Sequence, residues 1–239
     1  VEEGDEVILN GTKTFISNGF NCDLVIVAAK DPAIENPYQA ISLYLVEAGT
    51  SGFKKGEPLH KLGVHSQDTN ELFFTNCRIP IKNRLGNKGS GFPKLMEKLQ
   101  QERLLVAILA KTMAEFILQW TIDHLQKKNA KNGSKSLPQA IQFVLVEMAT
   151  EINLSQTFIE KLIGEHMEGK HIVTETSMAK YWITEMANRI ADRCLNLCGE
   201  FGMLEACAIA RTFRDVRVTT IFAGTNEIMK GIIAKSLGL

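Results

Sequence analysis

The stretch LMEKLQQERLLVAILAKTMAEF, residues 95–116, decides the fold of this chain. Its large apolar residues Leu95, Leu99, Val106, Leu109, Met113 and Phe116 recur at steps of three, four or seven. That spacing places side chains on one face of an α-helix. The pattern returns in Ile141, Leu145, Met148, Ile152, Ile159 and Ile163, and again in Met178, Trp182, Met186, Ile190 and Leu197. A shorter helix is predicted after Gly224, with Thr225 or Asn226 as N-cap and Glu227 in the first turn, where the helix dipole favours negative charge. Three helices of about 25 to 30 residues and one short one, joined by brief turns, pack most simply as an antiparallel four-helix bundle. Lys127 to Ser136, KKNAKNGSKS, interrupts the helices and reads as a solvated turn.

Upstream of Gly89-Ser90-Gly91 the period changes. Val7-Ile8-Leu9 runs into Asn10-Gly11, a strong short-range hairpin signal, with Thr12 to Ser17 as the partner strand. Leu24 to Ala29, Ala40 to Val46 and Glu71 to Phe74 are further strand candidates, and Pro32, Pro37, Gly49, Gly52 and Pro58 fall between them. The expected fold class is therefore α+β, with a small antiparallel β domain over 1–88 followed by the helical bundle over 89–239.

The chain has 239 residues, 45% of them hydrophobic, and 27 basic residues balance 27 acidic ones. Net neutrality excludes a nucleic-acid binder that works by bulk positive charge, and the hydrophobic content excludes intrinsic disorder. The apolar runs fall short of a membrane-spanning helix, so no transmembrane segment is expected. Five cysteines without a CxxC pair read as small buried hydrophobes, and Cys194 with Cys198 on one helix face reads as core packing. The histidines do not fall at metal-ligand spacings, so no metal site is expected. The opening VEEGDEVIL carries no targeting signal and reads as the interior of a domain, which suggests a fragment.

One residue interrupts the first helical seam. Glu102 stands between Leu99 and Val106, where an apolar residue is expected. It is either an edge residue leaning to solvent, or a buried general base whose pKa desolvation raises, as proton abstraction near neutral pH requires.

Five segments together resemble the acyl-CoA dehydrogenase family, and within it the long-chain members. They are LNGTKTFISNG (9–19), KLGVHSQDTNELFF (61–74), QQERLL (100–105), SMAKYW (177–182) and, most specific, RDVRVTTIFAGTNEIMKGIIA (214–234). The resemblance covers almost the whole chain. It implies FAD-dependent α,β-dehydrogenation of a fatty acyl-CoA to the trans-2-enoyl-CoA. A carboxylate removes the α-proton while a hydride passes to flavin N5. It further implies electron-transfer flavoprotein as acceptor, a homodimer or homotetramer, and the mitochondrial matrix.

The same resemblance implies residue roles. The usual base position before the Gly-Thr of the C-terminal motif is Ala223, which cannot act, and Glu102 matches the base position on the first bundle helix used by long-chain and isovaleryl members. Arg103 matches an arginine beside the acyl-CoA, with a surface ion pair as the alternative, and Phe222, Ala223 and Gly224 fall at the substrate. Phe15, Ile16 and Ser17 match the segment lying against the isoalloxazine; Thr225 and Glu227 match cofactor contacts; Gln139 matches a glutamine given to a neighbouring subunit's cofactor. At the pyrophosphate end the match weakens. Lys127 replaces the arginine of Arg-x-x-Phe-Gly, and the Gln-x-x-Gly-Gly motif reads Asn196-Leu197-Cys198-Gly199-Glu200. Lysines offer point charges rather than a bidentate fork, and a carboxylate at the second glycine repels phosphate. FAD binding is therefore expected to be weakened. The alternative function is a catalytically impaired relative that serves as an oligomerising or acyl-CoA-binding module.

Overall fold

A computed structural model describes residues 1–134 and 136–239; Lys135, within the predicted solvated turn, lies outside the described residues. The chain divides into two compact units, Val1–Lys98 and Leu99–Leu239. The architecture is α+β, as expected.

The first unit holds two sheets. β1 (Glu2–Glu3), β2 (Glu6–Ser17), β6 (Thr69–Pro80) and β5 (Phe53–Lys55) form one sheet in the order β1-β2-β6-β5, and β3 (Leu24–Lys30) pairs with β4 (Ile41–Glu47) in the other. Val7, Leu9, Phe53, Leu72, Phe74 and Ile79 from the first sheet bury against Val27, Tyr44 and Val46 from the second. The alternation along the strands makes this possible: every second side chain faces the partner sheet.

The predicted Asn10-Gly11 hairpin is corrected by the structure. β2 runs straight through these residues and pairs antiparallel with β6, with register shifts between Leu9 and Gly11 and between Lys13 and Ile16. Asn10 Oδ1 accepts a hydrogen bond from the Asn76 amide at 2.7 Å. The Asn-Gly pair thus makes a bulge, because a long partner strand far along the chain offers more ladder bonds than a local turn.

The second unit is helical: α1 (Gly91–Lys131, whose first turns fall in the first unit), α2 (Gln139–Met167), α3 (Val173–Leu197), α4 (Ala208–Val216) and α5 (Asn226–Ser236). Glu147 meets Arg193, Glu151 meets Arg189 and Ser155 meets Met186, so α2 and α3 are antiparallel. Gln100 lies at the start of α3 and Trp120 and His124 lie beside Phe201 past its end, so α1 runs parallel to α3. The α4 segment did not stand out in the sequence, and α1 continues through Lys127–Lys131, where a turn was expected. Cys194, Cys198 and Cys207 are free and buried.

The seam of α1 is also corrected. Its core residues are Leu104, Ala107, Ala110, Ala114, Ile117, Leu118 and Leu125, while Leu109 and Phe116 are exposed. Small alanines let neighbouring helices approach closely, so packing favours the alanine face over the face carrying the largest side chains. On α2, Leu162 rather than Ile163 is buried because it continues the face of Ile152, Ser155 and Ile159, and on α3 Trp182 is partly exposed beside buried Ala179, Ile183 and Ala187. By length and composition α1 is apolar enough to cross a bilayer, with a mean hydropathy of 1.4 over its most apolar window. A packed core helix passes the same test, and the alanine face of α1 belongs to the unit's core cluster.

Candidate functional site

The rotation of α1 determines where its two functional candidates go. Successive helix residues lie about 100° apart, so turning the seam toward the alanines moves Glu102 out and Arg103 in. Glu102 is exposed, the solvent-facing one of the two placements considered for it, and not a carboxylate sunk in the core. It shares its face with the exposed Leu105 and Leu109, three and seven residues on. Arg103 is only 5% exposed, and its Nε has no hydrogen-bond partner among the described residues. The surface ion pair considered for it is therefore ruled out. Burial lowers the pKa of this guanidinium, because the charged form loses hydration.

A second buried cation, assigned no role from the sequence, lies close enough for the Arg103 charge to act on it. Lys180 on α3 is completely buried, and its Nζ donates to Gly224 O at 2.7 Å and to Asn226 Oδ1 at 3.0 Å. Burial brings its pKa down from 10.5 to about 8, with the Glu227 carboxylate opposing the shift and the Arg103 charge reinforcing it. The available signal was a lysine one turn from Thr176 and Thr184 on an otherwise apolar helix face.

The loop that Lys180 holds carries the predicted substrate and cofactor positions. Phe222 is partly exposed; Ala223, Gly224 and Thr225 are half-buried. Ala223 has φ 54° and Gly224 φ 100°, backbone values that an alanine adopts reluctantly. Thr225 caps α5, accepting from the Ile228 amide at 3.4 Å, as one of the two expected N-caps. Glu227 in the first turn is exposed, and hydrogen bonds from its own backbone amide and the Thr225 side chain lower its pKa.

The flavin-facing candidates of the first unit sit at a bulge of β2. Phe15 is 75% exposed and has φ 60°. An aromatic held in the left-handed region with its ring in solvent is strained without local return, which fits a ring offered to a ligand. Ile16 is half-buried and Ser17 exposed. Two open cavities of about 400 and 460 Å³ lie in this unit, and no candidate residue lines either.

At the far end of the helical unit, Lys127, Gln139, Asn196, Gly199 and Glu200 are all exposed. Glu200 takes part in no ion pair among the described residues. Close by, the rings of Trp120, His124 and Phe201 lie nearly parallel, with centroids 5.0 and 5.2 Å apart along the stack. Burial, with Lys128 and Lys127 behind it, lowers the His124 pKa.

Residues 1–77 match the acyl-CoA dehydrogenase middle-domain model and residues 89–238 the acyl-CoA dehydrogenase C-terminal-domain model. The chain belongs to the acyl-CoA dehydrogenase family. Within the family it is 40% identical over 237 residues to the mitochondrial long-chain specific acyl-CoA dehydrogenase of Sus scrofa, covering 99% of this chain and 55% of that one. A crystal structure of an acyl-CoA dehydrogenase from Geobacillus kaustophilus superposes with a TM-score of 0.96 at 52% identity, covering all of this chain and 63% of that one. The NADH-dependent acryloyl-CoA reductase of Anaerotignum propionicum is 32% identical, over 98% of this chain and 59% of that protein. This chain thus spans somewhat more than half the length of these family members.

Proposed function

We propose that this chain is the middle and C-terminal part of an FAD-dependent acyl-CoA dehydrogenase, with Glu102 as the base that removes the α-proton of a fatty acyl-CoA. The observation that carries the reading is the buried Arg103, whose orphaned Nε demands an acceptor. An unpaired buried donor costs about 1–3 kcal/mol, and a ligand carrying a carbonyl or phosphate oxygen removes that cost. Glu102, the preceding residue, stands among exposed Leu105 and Leu109, a surface suited to an acyl chain. An acyl chain laid there would exclude water from around the carboxylate. Ala223 has no ionisable group, so the loop holds the substrate while α1 supplies the base.

FAD, when bound, supplies the hydride acceptor. Within the first unit, Phe15 and Ser17 are the residues that would contact its ring system; within the second, Thr225 and Glu227 at the start of α5 are the cofactor candidates. The exposed Phe15 ring supports the flavin end of this reading, while the phosphate end has less support: Lys127 is a single point charge, and Glu200 brings a carboxylate with no ion pair among the described residues. Weak but specific FAD binding follows. Gln139, exposed at the first residue of α2, is free to serve a second copy in a homodimer or homotetramer. Electron-transfer flavoprotein as acceptor and a long acyl chain remain part of this proposal. The mitochondrial matrix rests on the mammalian relatives alone, since a bacterial structure is 52% identical. The unpaired Glu200 favours the second reading, a flavin-free module that oligomerises or binds acyl-CoA.

The test is flavin absorbance of the purified protein and its bleaching by long-chain acyl-CoA. Glu102→Gln should slow bleaching by about 10²–10⁴-fold with flavin retained, the range of a general base. Bleaching at the original rate places the base elsewhere. A protein that stays colourless with added FAD establishes the flavin-free reading.

A further inference from the structure

A fully buried ammonium is expensive, and a methionine would fill the same space without that expense. Lys180 must therefore do something that an apolar residue cannot. Two of its three N–H donors are spent on one short segment, Gly224 O and Asn226 Oδ1. The Asn226 amide is gripped a second time by α3: its Nδ2 donates to Thr184 Oγ1 at 3.1 Å and to Tyr181 O at 3.3 Å. Asn226 is itself 3% exposed. Between Phe222 and this clamp lie Ala223 and Gly224, both with positive φ. A Cβ on Gly224 would come within 2.8 Å of Met229 Cε, the movable end of a flexible side chain, so the left-handed φ of 100° is what favours glycine there.

An alanine in the left-handed region loses roughly 1–2 kcal/mol relative to ordinary backbone, and an isolated chain would relax out of it. What opposes relaxation here is the pair of bonds from Lys180, made in a dry interior where they are strong. We infer that Lys180 is a positioning residue: through Gly224 and Asn226 it holds the Phe222–Thr225 loop in the shape that meets the ligand. This role rests on the dehydrogenase reading for what the ligand is, but not for the clamp itself. Arg103 from α1 and Glu227 from α5 are the charges that bear on Lys180.

The test compares wild type with Lys180→Met and Thr184→Val by amide hydrogen exchange and by acyl-CoA-dependent flavin reduction. In Lys180→Met, exchange across 222–227 should rise about tenfold or more, with α2 and the β sheets unaffected. The reduction rate should fall about 10- to 100-fold at saturating acyl-CoA, the loss expected from misplaced groups, with KM little changed. Thr184→Val, a gentler change on the same clamp, should give a smaller rise in the same segment, and it carries the test should Lys180→Met not fold. Unchanged exchange across 222–227 overturns the proposal. So does a rise spread evenly over all the helices, which would make Lys180 a general core residue. A local rise in a protein that shows no flavin chemistry at all leaves the clamp standing and removes the dehydrogenase reading instead.

Discussion

The buried Lys180 makes the stability of the helical unit depend on pH in an unusual direction. Its ammonium titrates near 8 in the folded chain against 10.5 in its ordinary state. At about 1.4 kcal/mol per pH unit, burying the charged form costs about 3 kcal/mol. Below pH 8 folded and unfolded chains both carry the proton, and the whole cost is present. As pH rises from 8 to 10.5 the unfolded chain binds more proton than the folded one, so stability increases. Above 10.5 the cost is gone. The perturbation is Lys180→Met, which removes the titration and leaves Gly224 O and Asn226 Oδ1 without their donor, a loss that does not vary with pH. Both tryptophans, Trp120 and Trp182, lie in the helical unit, so their fluorescence reports its urea unfolding directly. Between pH 7 and pH 10 the wild type should gain about 2–3 kcal/mol relative to the variant. Two curves that keep a constant separation over that range would refute the reasoning, since they would show that Lys180 does not change its protonation there.

Three further outcomes are expected. Phe15→Gly removes a ring that is 75% exposed and relieves φ 60°, so unfolding free energy should rise by up to about 1 kcal/mol while FAD affinity falls; a stability loss instead would show that the ring is packed. Gly52→Ala adds a Cβ that would sit 2.3 Å from Thr75 O at φ 84°, and chemical denaturation of the β unit should show a loss above about 2 kcal/mol. Glu200→Gly combined with Lys127→Arg should tighten FAD binding in a fluorescence titration, because one repulsive charge leaves and a bidentate donor arrives; unchanged affinity would mean that neither residue faces the pyrophosphate.

The class of each half was legible from period alone, because strands alternate at two residues and helices repeat near 3.6. The strands around Leu24–Lys30 and Ile41–Glu47 and the long helices follow that reading closely. What misled was local strength. Asn10-Gly11 is a good turn pair, yet β6 pulled it into a continuous strand. In α1 the largest apolar side chains mark out a seam, but the alanine face is the one packed into the core. Both errors have one origin: sequence shows what a segment offers, and the partner that accepts it comes from elsewhere in the chain.

That distinction decides the candidate site as well. The sequence by itself determined the α+β class, the identity of Glu102 as an acid among apolar neighbours, and the absence of a base at Ala223. Only the tertiary structure decided that Glu102 faces out, that Arg103 is buried with an unmet donor, and that Lys180 reaches across to Gly224 and Asn226. The reason is geometric. A turn of about 100° around a helix separates an exposed carboxylate from a buried guanidinium, and the packing of α1 against its neighbours sets that turn. A hydrogen bond between residues 44 apart in sequence has no local signature at all.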